Sequence, residues 1–217
     1  MNTKILASTQ PVFKKSKDNE NADTLDENSP LITAAQNRRW KEVEDLLLDD
    51  TTNIDDVEFW NDWNIAFYAC QESTEIFKTC IKNLNGKTDI IFNTDSLDTN
   101  LLMHAASMIN TDTTLYLLKD LNLLRKIDIY HKNSLGLNAF DLIWCNIEGA
   151  TGENVDLYKD YEPRTKNNLD NDAINALGVM IILIEFGFTD ATKLHKDTPQ
   201  HIKKKFEDLV RCIGVAV

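Results

Sequence analysis

The side chains able to form a covalent intermediate or to hold a metal are few and widely spaced in this chain. The four cysteines lie at positions 70, 80, 145 and 212, with no CxxC pair, and the four histidines are scattered. Cys145 with His131 is the best candidate for a nucleophile and a base, but no nearby residue orients either side chain. No HExxH motif, zinc-type spacing or glycine-rich phosphate loop occurs. The sequence therefore predicts no catalytic residue, no metal site and no cofactor.

Residues 146–172 form a polar stretch that carries seven carboxylates against three basic side chains. A calcium loop needs acidic side chains at alternate positions followed by glycine, and this pattern is absent. A long polar stretch within a domain is usually functional or disordered. We interpret it as an insertion. The alternative is a small enzyme in which the insertion closes over a site near Cys145 or Asp141.

A cluster of aromatic and acidic residues is the strongest indication of binding. Two tryptophans, one phenylalanine and four acids fall within nine positions: Asp55, Asp56, Glu58, Phe59, Trp60, Asp62 and Trp63. Aromatic side chains surrounded by charge are typical of protein–protein hot spots. The alternative for Trp60 and for Trp63 is that the ring packs back on the helices.

A repeated pattern indicates which elements position these residues. A cap-type residue followed by apolar residues and a small pair begins at Ser29, Asn64 and Asn100, and Asn138 begins a fourth, related segment. The equivalent positions Ala34, Ala69, Ala105 and Leu142 are 35, 36 and 37 residues apart. A near-constant period of this length predicts a stack of helical repeats. Such a stack offers a long surface and usually performs no chemistry.

Each repeat is predicted to be a helix pair followed by a connector. Ser29 and the three asparagines suit the N-cap, and small residues at 34, 69 and 105 let neighbouring helices approach closely. Second helices are predicted at 41–48, 74–82 and 113–121, from apolar residues at helical spacing. The connectors contain short β-type runs at 89–92 and 127–130.

The ends of the chain differ from the repeats. Residues 1–28 are too polar and charged to bury a core, so we predict a disordered arm. The repeats are expected to span 29–190, with the second helix of the last one resuming after a cap at Asp172. Residues 191–217 are predicted to hold a C-terminal capping helix that begins at Asp197 or Thr198.

Charge and composition restrict the partners. The formal net charge is −12, which disfavours nucleic acid and anionic membranes and favours a protein with a basic or mixed-charge surface. No signal peptide or transmembrane stretch is evident, so we expect a cytoplasmic protein; delivery into a host cell by a route without a signal peptide is the alternative. We expect a monomer or weak oligomer.

The order of cap, apolar residues, alanine pair, leucine-rich second helix and polar connector resembles the ankyrin repeat. The clearest units are 30–35 with 46–48, and 101–106 with 117–118. The resemblance implies an all-α ankyrin-type helical repeat solenoid of about four repeats, which binds a protein through its connector tips and first-helix face. Carried over by position, the tip residues are Glu58, Trp60, Asn61, Asn93, Asp95, Ser96, His131, Lys132 and Asn133. Those on the first-helix face are Gln36, Arg39, Glu72 and Met108.

We therefore predict a non-catalytic protein–protein interaction module: an adaptor, an inhibitor or a regulator, with a bacterial effector acting in a host cell as one form. The alternatives are the small enzyme described above and an obligate structural subunit that dimerises through its apolar C-terminal helices. A binder should expose aromatic side chains on an open surface, whereas an enzyme should show a pocket with convergent polar groups.

Overall fold

The computed structural model describes residues 29–84, 88–120, 127–148 and 169–214, and in these ranges the fold is all-α. The predicted arm at 1–28 and most of the insertion at 146–172 lie outside the described residues. The α-helices are α1 Pro30–Gln36, α2 Trp40–Leu47, α3 Ile65–Glu72, α4 Thr74–Asn83, α5 Leu101–Ser107, α6 Thr111–Leu115, α7 Ala139–Glu148, α8 Leu169–Glu185 and α9 Gln200–Cys212.

The four predicted N-caps are confirmed. The Ser29 hydroxyl accepts a hydrogen bond from the Ile32 N–H at 3.3 Å, with Pro30 at the first helical position. The side-chain oxygens of Asn64, Asn100 and Asn138 accept from backbone N–H groups of α3, α5 and α7 at 2.9 Å. A side-chain cap therefore fixes the start of each of these four alternate helices.

The helices pack in two rows. The helices α1, α3, α5 and α7 contact one another in chain order, and so do α2, α4, α6 and α8. Ala34, Ala69 and Ala105 are fully buried in the first row. Side chains this small allow short helices to lie close together, so a larger side chain at these positions would separate the row.

Two turns between paired helices contain a residue in the left-handed region. Arg38 closes the α1–α2 turn at φ 56°, and Ile109 closes the α5–α6 turn at φ 55°. This conformation costs roughly 1–2 kcal/mol for a residue other than glycine. The α3–α4 turn is different, because Ser73 is extended there and its hydroxyl caps α4 by accepting from Ile76.

The prediction of β-type runs is wrong. Residues 89–92 belong to a 3-10 helix, Thr88–Phe92. The carbonyl of Ile90 accepts a hydrogen bond from the Asn64 side-chain amide at 2.9 Å, which satisfies it without a neighbouring strand. Residues 127–130 form a bend and a turn, and the described residues contain only one isolated bridge, between Thr94 and Asn100.

Three helix boundaries also differ from prediction. The helix predicted at 113–121 is divided into α6 and a π-helical turn, Tyr116–Asp120. The Thr114 hydroxyl donates to the Asn110 carbonyl, a local bond that competes with regular helix formation. The helix α8 begins at Leu169, before the expected cap at Asp172, and α9 begins only after Pro199.

The C-terminal helix covers the end of the first row. Its buried side chains are Ile202, Phe206 and Val210. The Phe206 ring lies 4.5 Å from Phe140 of α7 and 5.8 Å from Phe188, measured between ring centroids. This apolar contact removes from water a face that α7 would otherwise expose.

Candidate functional site

Three turns with the same hydrogen-bond pattern lie directly before α3, α5 and α7. We call them tip 1 (58–63), tip 2 (95–99) and tip 3 (133–137). The first N–H of each tip donates to the last carbonyl, and Asp62, Asp98 or Gly136 adopts a positive φ inside the turn. Each tip ends at the residue before an N-cap asparagine. The tips are therefore held at the starts of the packed first-row helices.

A side-chain oxygen fixes each tip from within. Glu58 accepts from the N–H groups of Trp60 and Asn61 at 3.0 and 2.7 Å, and Asp95 accepts from Leu97 and Thr99 at 2.9 and 2.8 Å. In tip 3 the side-chain oxygen of Asn133 accepts from the N–H groups of Leu135 and Leu137 at 3.1 and 3.0 Å.

These internal bonds correct one expectation for the site. Glu58 and Asn133, predicted to lie on exposed tips, are buried, and Asp95 is half-buried. Their oxygens are used inside the turns, so we expect them to shape the tips and not to contact a partner. Burial raises the pKa of Asp95, and the indole N–H of Trp63 is among the hydrogen bonds that act against this rise.

Successive tips are joined by backbone hydrogen bonds. The Ser96 N–H of tip 2 donates to the Asn61 carbonyl of tip 1 at 2.9 Å, and Ser134 of tip 3 donates to Leu97 of tip 2 at 2.8 Å. The His131 Nε2 lies 2.8 Å from the Asp98 carbonyl oxygen. The three tips therefore form one continuous edge.

An exposed apolar side chain stands at the same position of each tip, two residues after its first residue. Trp60 is 63% exposed, Leu97 44% and Leu135 43%. We call these three residues the tip row. Phe59 beside it is 67% exposed, and its ring meets Trp60 edge-on at 5.1 Å between centroids. Exposed apolar side chains that gather on one surface indicate a binding site more strongly than scattered ones do.

Sequence reasoning identified Trp60 but missed the rest of the tip row. Leu97 follows Trp60 by 37 residues and Leu135 follows Leu97 by 38, which is close to the repeat spacing. Each also lies two residues after a turn-forming Asp or Asn. Aligning the connectors in the way that the helices were aligned would have revealed them.

The Trp63 ring packs back on the helices, which is the alternative to partner contact that the sequence analysis gives for this residue. Its ring stacks on Phe67 at 6.1 Å and meets Tyr68 and His104 edge-on at 5.5 and 4.9 Å. A half-buried ring with three aromatic neighbours anchors tip 1 to the first row. Trp63 therefore helps to hold tip 1, which carries Trp60, against the first row of helices.

His104 lies beneath Trp63 as a buried histidine of α5. Its ring also meets Phe67 at 5.3 Å, and its Nε2 has no hydrogen-bond partner. Burial in an aromatic surrounding lowers the pKa of His104 to about 4, because the charged form loses its hydration there.

The residues predicted on the first-helix face lie away from the tips. Gln36, Glu72 and Met108 are at the C-terminal ends of α1, α3 and α5, and Arg39 precedes α2. A helix of seven or eight residues separates them from the tips by about 10–12 Å.

Several of these side chains already have partners. Gln36 donates to the Tyr68 hydroxyl at 3.1 Å, Arg39 pairs with Glu42 at 2.7 Å, and Glu72 pairs with Arg38 at 3.1 Å. The first six residues of α3 and of α5 are buried. The tips, in contrast, carry four of the large apolar side chains that are exposed among the described residues, and the others lie elsewhere.

The remaining predicted residues lie on or beside the tips. Ser96, Asn93 and Lys132 are exposed, while Asn61 and His131 are half-buried. Carboxylates dominate the charge of the described connectors: residues 49–63, 88–99 and 127–137 contain ten acidic side chains and one basic one, Lys132. The edge is apolar at its row and negative around it.

The hydrogen bonds around Asp141 account for the burial of its carboxylate, so a catalytic role is not needed to explain that burial. Its carboxylate accepts from the Asn138 and His195 N–H groups and from the Thr198 hydroxyl, at 2.8–3.2 Å. The Cys145 thiol donates to the Asp141 carbonyl at 2.9 Å. Burial raises the pKa of Asp141, and the hydrogen bonds oppose this rise. The cluster ties the segment before α9 to α7, and the side chains of Cys145 and Asp141 are both buried.

Within the described ranges, no three His, Cys, Asp or Glu side chains come together in a way that would hold a metal ion. No described helix has the length and apolar character needed to cross a membrane.

The comparisons with protein-family models and with curated proteins found no match for this chain.

Proposed function

We propose that this chain is a non-catalytic protein-binding module built as a short ankyrin-type stack of helix pairs. The two rows of helices, the repeated asparagine caps and the three equivalent tips support this architecture. Such a stack presents an edge of turns that a partner can contact without any change in the helices.

The tip row is the observation that carries the proposal. Trp60, Leu97 and Leu135 are exposed at equivalent positions of three turns, and backbone hydrogen bonds join those turns. A pre-organised edge loses little conformational freedom on binding, so its apolar side chains contribute affinity efficiently. Tryptophan at the start of the row is the residue type most enriched in binding hot spots.

The acidic surroundings of the tip row favour a partner with a basic or mixed-charge surface. Opposite charge speeds association and selects against acidic proteins and nucleic acid. In this proposal the chain works as an adaptor, an inhibitor or a regulator in the cytoplasm.

Quantitative affinity capture with mass spectrometry tests the proposal. The bait is the full chain, compared with a tip variant (Trp60→Ala with Leu97→Ser and Leu135→Ser) and a control variant (Leu48→Ser). Leu48 is 62% exposed and lies outside the tips, so the control also removes exposed apolar surface. We expect a protein that the wild type and control retain and the tip variant loses. Equal recovery with all three would refute binding through the tips.

Self-association is the second candidate function, favoured by one observation. The helix α8 exposes Ile174 by 66% and Leu177 by 43%, one turn apart on the same face. In an obligate structural subunit this face would pack on a second copy. Sedimentation equilibrium of the wild type and an Ile174→Ser, Leu177→Ser variant distinguishes the two functions. A dimer that forms with the wild type and dissociates in the variant would favour the obligate structural subunit.

A further inference from the structure

We infer that the tip row binds an extended basic segment of its partner in which every third residue is apolar. This inference rests on the proposed function, because it specifies the segment that the same surface takes. It follows from the spacing of the tips, the exposure of the tip row and the charge around it.

The spacing of the tip row is set by the helices that follow it. The helices α3, α5 and α7 contact one another side by side, and each tip ends one residue before the N-cap of its helix. Packed helices lie about 8–10 Å apart between axes. We therefore expect Trp60, Leu97 and Leu135 to recur at about that interval.

An extended polyproline-II segment matches this interval. It has three residues per turn and rises about 3.1 Å per residue, so every third side chain returns to the same side after about 9 Å. A β-strand returns after two residues and only about 6.6–6.8 Å, and its next same-face residue lies at about 13 Å. A strand would therefore fall out of register with the second tip.

An α-helix fits the tip row poorly for a different reason. Helical partners usually lie in a hydrophobic groove, and a helix with its side chains is about 10–12 Å wide. The tip row consists of single side chains that project from turns, and each is between 43% and 63% exposed. A narrow, extended chain can contact all three at once, whereas a broad cylinder would rest on them without being enclosed.

Charge determines the residues between the apolar ones. Exposed carboxylates flank the row at Asp55 and Asp62 of the first connector, Asp98 of tip 2 and Asp128 before tip 3. In a polyproline-II segment the other two residues of each triplet point away from the tip row, and we expect them to face the connectors that carry these carboxylates. Lysine or arginine at one of them gains the attraction, and proline at the other keeps the segment extended.

The first tip offers the strongest anchor for such a segment. Phe59 and Trp60 expose two rings at an interplanar angle of 87°. Exposed aromatic rings are the surfaces on which proline-rich segments characteristically dock. We expect Trp60 to contribute more affinity than Leu97 or Leu135.

Isothermal titration calorimetry of the full chain with synthetic peptides tests the inference. The probe is a twelve-residue peptide of four Leu-Lys-Pro triplets. One control peptide has the same composition with its leucines placed together, and a second has glutamate in place of lysine. A third is a helix-forming peptide of leucine, lysine and alanine with leucines at helical spacing. Each is titrated into the wild type, the tip variant and the Leu48→Ser control.

We expect the triplet peptide to bind the wild type about tenfold or more tightly than the three control peptides, since each misplaced leucine loses its buried contact. The tip variant should lose the same margin, the control variant should not, and added salt should weaken binding. Equal affinity for the rearranged or the helical peptide overturns the spacing, and equal affinity for the glutamate peptide overturns the charge preference.

The two levels of the proposal fail separately. If no peptide binds while protein capture still depends on the tips, the extended basic segment is refuted and the proposed function stands. If the triplet peptide binds the tip variant as tightly as the wild type and capture is unchanged by the tip substitutions, both are refuted.

Discussion

Acidification should destabilise this protein through one buried histidine, and His104→Leu should remove that effect. His104 lies under Trp63 and Phe67, is 7% exposed, and has no hydrogen-bond partner at Nε2. A protonated imidazole in this surrounding loses its hydration without gaining a partner. The folded protein therefore keeps His104 neutral at pH values where the unfolded chain binds a proton.

The size of the effect follows from the pKa of His104, which burial lowers from 6.5 to about 4. One pKa unit corresponds to about 1.4 kcal/mol, so the full effect is about 3 kcal/mol. The contribution to stability is complete above pH 6.5 and is lost as the pH falls towards 4, because only the unfolded state takes up the proton in this window. About 2 kcal/mol should be lost by pH 5.

Urea denaturation between about pH 5 and pH 7.5 measures this loss. The useful quantity is the difference in free energy of unfolding between the wild type and His104→Leu, followed as a function of pH. Burial raises the pKa of Asp95 and of Asp141, so both carboxyl groups favour the folded state as the pH falls. The wild type and His104→Leu each contain Asp95 and Asp141, so the effect of these carboxyl groups cancels in the difference. We expect the difference to move by about 2 kcal/mol in favour of the variant from pH 7.5 to pH 5.

Parallel stability curves for the two proteins would refute this reasoning. They would mean that His104 takes up its proton in the folded state as easily as in the unfolded chain. Nuclear magnetic resonance of the imidazole Cε1–H provides an independent measurement, since the folded protein should show no titration of His104 above about pH 5.

Three further predictions concern the helices and tip 1. Ala105→Leu should lower the free energy of unfolding by about 1–3 kcal/mol because the first row has no space for a larger side chain, and an unchanged melting temperature would contradict the packing of that row. Asn138→Ala should lower the free energy of unfolding by about 2–4 kcal/mol, since it removes both the α7 cap and the 2.8 Å hydrogen bond to the Lys193 carbonyl. Ser29→Ala removes a cap alone and should lower it by about 1 kcal/mol in the same urea denaturation. Trp63→Ala should cost about 2–3 kcal/mol and Trp60→Ala less than about 0.5 kcal/mol, measured by urea denaturation; similar losses would mean that both rings belong to the core.

The helical part of the fold was predictable because its signals are local. An asparagine cap, a small residue at a fixed offset and an apolar second helix each depend on a few neighbouring residues, and their repetition located α1 to α5 and α7. The prediction failed where a local preference met a distant partner. Residues 89–92 have a β-type composition, but the Asn64 amide reaches the Ile90 carbonyl across 26 residues and no strand pairs with them.

The candidate site was predictable in part for the same reason. Trp60 is conspicuous as an aromatic residue among acids, whereas Leu97 and Leu135 look like ordinary apolar residues until the tips are aligned. Glu58 and Asn133 looked like exposed polar residues, yet their oxygens turn inward to backbone N–H groups. Polar residue type alone does not reveal whether a hydrogen bond is made with water or with the turn itself.

The sequence by itself determined that the described part of this chain is all-α, where its first-row helices begin, and that it lacks a recognisable catalytic or metal-binding motif. These properties depend on residues close together in the chain. Only the tertiary structure decided which tryptophan is exposed, that His104 is buried without a partner at Nε2, and that Asp141 holds the segment before α9 across 54–57 residues. Burial and long-range hydrogen bonds arise when distant segments pack together, and no local pattern encodes them.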